Sequence, residues 1–139
     1  MTDLIVEDQP AARDVQTLQD QLIAYNMAQT GAYDGRLLAI FVRDERQEIL
    51  AGISGYTWAG FCEIEWLWVH EELRGRGYGT QLLAAAEQEA LARGCSLIVL
   101  GTYSFQAPGF YQRMGYKVAG RIDDCPLHHK KYLLRKRLG

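Results

Sequence analysis

The chain has 139 residues, 48% of them hydrophobic and 23% charged, the length and make-up of one globular domain able to bury a core. A net charge of −2 removes the electrostatic case for nucleic acid, which asks for a basic patch or a high pI. Cys62, Cys95 and Cys125 share no metal-type spacing and suggest no disulfide framework, and no apolar run approaches the ~18 residues that span a bilayer. With an acidic start, MTDLIVEDQP, that lacks the apolar region of a secretory signal, the expectation is a soluble, cytoplasmic protein without a membrane partner. Charge is uneven: residues 1–34 hold six acidic side chains and one basic, residues 121–139 six basic and two acidic. Solvated faces or a salt-bridged pair of terminal strands account for that.

In chain order, Leu4–Glu7 reads as a short first strand. A helix of about fifteen residues opens at Asp8 or Pro10, with Val15, Leu18, Leu22 and Tyr25 at helical spacing. Residues 26–36 (NMAQTGAYDGR) read as a loop or a second short helix. Leu37–Val42, Ile49–Trp58 and Phe61–Val69 are β-type runs joined by short turns, an antiparallel meander. Gly52 and Gly55 inside its second strand mark a bulge or a close approach by another backbone. A helix follows from about Gly79 to Arg93, with Leu82, Leu83, Ala86 and Ala90 as its buried stripe and Gly94 placed to end it. Ser96–Leu100 is a continuous apolar run suited to a central strand, Ala107–Met114 a short helix with Pro108 in its first turn, and Gly115–Arg121 and Lys131–Arg137 the closing strands. The whole predicts a mixed α/β sheet in a single domain over residues 1–139.

The junction VHEELRGRGYGTQLL, Val69–Leu83, packs Arg74, Gly75, Arg76, Gly77, Tyr78 and Gly79 ahead of a helix. The first helical turn leaves N–H groups unsatisfied and carries about half a positive charge. Glycines let an anion approach those groups, and arginines add forked donors that suit phosphate oxygens. The stretch therefore reads as a diphosphate cradle, with a plain structural turn as the alternative. It lacks the Lys of GxxxxGK[ST], and its glycines make GxGxG rather than GxGxxG.

The spacing Arg74-x-x-Gly77-x-Gly79, with Val69 five residues upstream, resembles the acyl-CoA signature of the GNAT superfamily of N-acetyltransferases. Downstream, FQAPGFYQRMGY (Phe105–Tyr116) is similar to that family's second signature, through Ala107, Tyr111 and Gly115. The resemblance runs from the first strand to the last. It implies a mostly antiparallel sheet of six to seven strands with about four helices, and acetyl-CoA as co-substrate. It places Leu67 and Val69 on the strand beside the pantetheine arm, and Arg74, Gly75, Arg76, Gly77, Tyr78, Gly79 and Thr80 around the pyrophosphate. Ala107 and Tyr111 follow on the cofactor's other side. Many members carry Asn seven residues before this Tyr; Ser104 stands there, so that contact is shorter or absent. Members are often homodimers, and the basic last strand with Lys131, Arg135 and Arg137 lies at such an interface or in solvent.

Acetyl transfer to an amine needs a free amine, a polarised carbonyl and a protonated leaving thiolate. An alkylammonium is neutral in only on the order of one part in a thousand near neutral pH, so a deprotonation route matters. Glu63 and Glu65, at i, i+2 on the strand ending at Val69, are expected on one face, near Trp58, Trp66 and Trp68. Two carboxylates there raise one pKa by repulsion and desolvation and could relay the proton through ordered water. The family resemblance puts the general base at Glu63. A bulge would exchange the two roles, and both side chains merely lining a polar pocket is the alternative. Tyr111 shares a helix face with Ala107 and Met114; a phenol near pKa 10 suits proton donation to a departing thiolate, and the resemblance implies that role, against a plain core tyrosine. Carbonyl polarisation falls to backbone N–H near Val69.

Cys125-Pro-Leu-His128-His129 lacks the spaced pairs of a zinc site, and GISG (Gly52–Gly55) is not GxSxG, so neither a metal nor a serine nucleophile is expected. His70 is expected to be exposed, and His128 and His129 to sit in the loop before the last strand. Tyr56, Trp58, Phe61, Trp66 and Trp68 read as sheet core, or in part as a face toward a neighbouring subunit. Two functions result: an acetyl-CoA-dependent N-acetyltransferase acting on a primary amine of a small molecule or peptide, and, as the alternative, a non-catalytic acyl-CoA-binding sensor or interaction module. Glu63 and Glu65, with Tyr33 and Asp34 from the variable loop, hint at a cationic acceptor.

Overall fold

The computed structural model describes residues 3–139, which divide into two compact units, one up to residue 33 and the other over 34–139. In the first, Leu4–Glu7 form no strand, because these residues pair with no neighbour. Helix α1, Ala12–Thr30, is longer than expected and absorbs the start of the expected loop. No Gly or Pro interrupts NMAQT; the helix stops at Gly31, whose left-handed φ of 69° turns its N–H onto the Met27 carbonyl at 2.8 Å. Val15, Leu18, Leu22 and Tyr25 are exposed on α1, not a buried stripe.

The second unit runs β1 (Arg36–Arg43), β2 (Ile49–Trp58), β3 (Phe61–Val69), a single 3-10 turn (Glu71–Leu73), α2 (Tyr78–Ala92), β4 (Leu97–Tyr103), α3 (Pro108–Arg113), β5 (Lys117–Asp123) and β6 (Lys130–Arg137). The described residues thus form six strands and three α-helices, in the sheet order β1-β2-β3-β4-β6-β5. All neighbours are antiparallel except β3 and β4. The meander strands match their expected limits, except that β1 is one residue longer at each end. The β2–β3 hairpin turns on two left-handed residues, Ala59 and Gly60, and the Asp34 carboxylate accepts the Ala59 N–H at 3.0 Å, holding the alanine in a conformation it seldom takes.

Alternation assigns the faces. Ala51 and Ile53 of β2, Cys62 and Ile64 of β3, Ile98 and Leu100 of β4 and Leu134 of β6 are buried, and with Leu82, Leu83, Ala86 and Ala90 of α2 they form the core. The other face at the centre of the sheet carries Tyr56, Glu63, Val99, Tyr103 and Lys131. Trp66 and Trp68 are on that face too, and at 74% and 48% exposed they are not the sheet core the sequence suggested.

The reason is a bulge. Tyr56 pairs with Glu63, Gly55 with Ile64, and Ser54 with Trp66, so Glu65 has no partner in β2. One extra residue reverses the alternation: Cys62 and Ile64 face the core before it, Leu67 and Val69 after it. Gly55 permits this, because a Cβ there would collide with the Glu63 carbonyl. Glu63, half-buried, and Glu65, exposed, both lie outside the core on either side of buried Ile64, with Glu65 in the bulge and not in regular pairing.

Candidate active site

β3 and β4 pair only from Phe61↔Leu97 to Ile64↔Leu100 and then part, while β4 stays paired with β6 as far as Tyr103↔Lys131. The split opens a cleft of about 980 Å³ between Glu63–Val69 on one side and Leu100–Tyr103 on the other, closed at its ends by the glycine-arginine loop and α3. Along β3 from Glu65 onward, the edge toward β4 has no strand to pair with. Among the described residues no strand satisfies its backbone groups on that side.

At one end stands the N-terminus of α2. Gly77, its N-cap, has φ 84°, and Gly75 has φ 78°, conformations that other residues take only with strain. A Cβ on either would meet no atom within 4 Å, so the space before the helix is open. Among the described residues no side chain caps the first turn, and no acidic residue sits in it, so they leave the positive end of the helix dipole uncompensated. Arg74 folds back: its Nε donates to the Val69 carbonyl at 3.0 Å, tying the loop to the strand end. Gly75, Gly77, Tyr78, Gly79 and Thr80 all line the cleft with Arg74; Arg76 is exposed and does not.

Tyr111 enters from the α2 side. It is 8% exposed, with its ring edge-on to Phe110 at 5.1 Å and to Tyr116 at 5.9 Å. Among the described residues no group hydrogen-bonds its hydroxyl, and burial raises its pKa above the usual phenol value, so it stays protonated. Behind it, the Tyr116 hydroxyl donates to Glu87 Oε2 at 2.7 Å, and Lys136 Nζ lies 3.0 Å from Glu87 Oε1. Burial first, and then the Glu87 carboxylate, push the Tyr116 pKa up as well.

Glu63 enters from the opposite face. The Tyr56 hydroxyl donates to its Oε1 at 3.0 Å, and burial, then this carboxylate, push the Tyr56 pKa up to about 12. Among the described residues no cation lies within ion-pair distance of Glu63 or Glu65, though both line the cleft. Leu67, Val69 and Ala107 line it too. Ser104 does not: its Oγ accepts the Lys130 N–H at 3.0 Å and its own N–H donates to the Lys130 carbonyl at 2.8 Å, so it fastens β6 instead of facing a ligand.

Gln106, Arg113, Lys131, Tyr103 and Phe105 also line the cleft and were missed. Lys131 comes to the cleft through its register with Tyr103, a pairing between strands distant in the chain that leaves no local sequence signal. His70 is half-buried; its Nδ1 accepts the Glu72 N–H at 3.1 Å and caps the 3-10 turn. Among the described residues no three His, Cys, Asp or Glu side chains converge to hold a metal ion, and no helix is long and apolar enough to cross a membrane.

The profile of the acetyltransferase (GNAT) family matches residues 1–116. An acetyltransferase of Agrobacterium fabrum is 34% identical over 118 residues, 85% of this chain and 86% of its own. The blasticidin-S acetyltransferase of Streptomyces morookaense is 40% identical over 101 residues, 72% of this chain and 74% of its own. A crystal structure from Agrobacterium tumefaciens aligns with TM-score 0.89 and 31% identity, covering 99% of this chain and all of that one. A parallel pair of strands that splits beside an uncapped helix, with a buried tyrosine facing the gap, and relatives that share the full architecture lead to one conclusion: the chain belongs to the acetyltransferase (GNAT) family.

Proposed function

We propose that the protein moves an acetyl group from acetyl-CoA to a primary amine of a small molecule or peptide, by direct attack within a ternary complex. The observation that carries this reading is the split between β3 and β4, which Tyr111 meets from one face of the sheet and Glu63 from the other. The residues fit the cofactor: two left-handed glycines with open space before an uncapped helix suit a diphosphate, and the unpaired edge of β3 suits an amide-bearing arm. An aminoglycoside 6′-N-acetyltransferase with the same fold, at TM-score 0.63 and 19% identity, was solved with coenzyme A. When bound, acetyl-CoA supplies the acetyl thioester and a thiol leaving group.

The chain's own groups divide the remaining work. The N–H groups of Tyr78, Gly79 and Thr80 bind the diphosphate. Tyr111, protonated and held by two ring contacts, stores the proton the leaving sulfur needs. Glu63, oriented by Tyr56, draws the cationic amine into the cleft and takes its proton through water. Glu65, turned out by the bulge, adds negative charge at the acceptor's entrance. The family match spans both units, which supports reading residues 1–139 as one acetyltransferase domain.

Titration calorimetry with acetyl-CoA, CoA and ATP tests the foundation. Micromolar CoA binding, weakened at least tenfold in a Gly77→Ala variant and absent for ATP, is the expected result. Equal binding of ATP, or none of CoA, sinks the reading. CoA binding without turnover of any amine favours a non-catalytic acyl-CoA-binding module instead.

A further inference from the structure

On the acceptor side of the split, the cleft carries an aromatic pair for which acetyl transfer itself has no use. Tyr103, the last residue of β4, and Phe105 stack with centroids 5.4 Å apart and planes 7° from parallel. His129, from the β5–β6 loop, meets Phe105 edge-on at 4.9 Å. Phe105 is nonetheless 56% exposed, and it lines the cleft with Tyr103.

The turn that presents it is rigid. Tyr103 N–H donates to Gln106 Oε1 at 2.8 Å, Gln106 N–H to the Tyr103 carbonyl at 2.9 Å, and Ser104 holds Lys130 by two bonds. A large ring fixed in orientation yet open on its outer side is pre-organised for stacking, since little freedom is left to lose on binding. Its place suits an acceptor. Glu63 pairs with Val99, so Tyr103, four residues on, lies about 13 Å along β4 and level with Leu67, beside the open gap.

Charge narrows the class. Lys131 Nζ lies 5.8 Å from the Tyr103 centroid and disfavours a cationic ring on the stack, whereas Glu63 and Glu65 favour a cationic amine farther in.

We infer that Phe105, backed by Tyr103, is a stacking platform that selects acceptors carrying an uncharged planar aromatic or heteroaromatic ring, separate from the protonated amine that is acetylated. The inference rests on the acetyltransferase reading of the same cleft and deepens it.

The test compares 6-phenylhexylamine, long enough to reach from the Glu63 end of the cleft toward Phe105, with n-decylamine of similar length, in turnover with acetyl-CoA and in calorimetric binding to the CoA-saturated protein. The wild type should prefer the ring-bearing amine about tenfold in both. Phe105→Ala should bring that ratio to about one with an unchanged acetyl-CoA Kd, and Phe105→Trp should restore it. An equal loss for both amines, or weaker acetyl-CoA binding in Phe105→Ala, overturns the platform. Ring preference in binding without any turnover leaves the platform standing and sinks acetyl transfer, while turnover with no ring preference does the reverse.

Discussion

Phe61–Ile64 and Trp66–Val69 belong to one strand, yet the first stretch is paired with strands on both edges and the second on one only. In the paired half, parallel bonding to β4 continues the sheet and Cys62 and Ile64 go to the core. In the other half the alternation is reversed, β4 has left, and the edge belongs to the cleft. A single unpaired residue, Glu65, separates the two. The polar groups follow the same division. Behind the cleft, Glu87, Tyr116 and Lys136 satisfy one another. In the cleft, Tyr111 has no partner for its hydroxyl among the described residues, and Glu63 has one neutral donor and no cation. The contrast teaches that the site is made by withholding partners the rest of the sheet provides.

The most damaging way to break that contrast is to remove the room for the bulge. Gly55→Val drives a side chain into the Glu63 carbonyl and should cost about 3 kcal/mol or more, read as a lowered denaturant midpoint; an unchanged midpoint would mean that β3 tolerates regular pairing. Next in size is the loss of the unpartnered hydroxyl. Tyr111→Phe keeps the ring contacts, so its melting temperature should hold while kcat falls on the order of a hundredfold at unchanged acetyl-CoA affinity. Full kcat would return Tyr111 to the core.

Breaking the satisfied cluster should do the opposite. Glu87→Ala leaves the Tyr116 hydroxyl and Lys136 without their acceptor and should lose about 2 kcal/mol of stability, a figure reduced from that of a fully buried pair because the Lys136 side chain is 28% exposed. Denaturant unfolding reads it, and an unaltered curve would show that water replaces the carboxylate at no cost.

The smallest effect sharpens the acceptor side. Glu63 stabilises the neutral Tyr56 phenol, both as its hydrogen-bond acceptor and as a nearby negative charge, so Glu63→Gln should lower the Tyr56 pKa from about 12 toward its ordinary 10. Alkaline absorbance titration checks this against a Tyr56→Phe control, and a pKa that stays near 12 would assign the rise to burial and the other nearby charges, not to Glu63.

Much of this was legible in order and composition. The meander, α2 with its buried stripe and Gly94 after it, and the short helix behind Pro108 follow from periodicity and from Gly and Pro chemistry, which act within a few residues. Leu4–Glu7 and the aromatic series misled for one reason: an apolar or alternating run says that a surface could be covered, and not what covers it. Gly55 was legible as a bulge or close approach, but not that the extra residue would be Glu65 on the neighbouring strand, because register between strands is not a local property.

By itself, then, the sequence determined most of the elements, the glycine loop ahead of α2 and a buried ring at Tyr111, since helix starts, left-handed turns and a buried ring at helical spacing need only neighbouring residues. Tertiary structure alone decided where β3 and β4 part, that Glu63 and Tyr111 approach the gap from opposite faces, that Ser104 holds β6 rather than facing the cleft, and that Phe105 and Lys131 stand beside it. These depend on pairings between residues as far apart in the chain as Glu63 and Val99 or Tyr103 and Lys131, which form only when the whole sheet assembles.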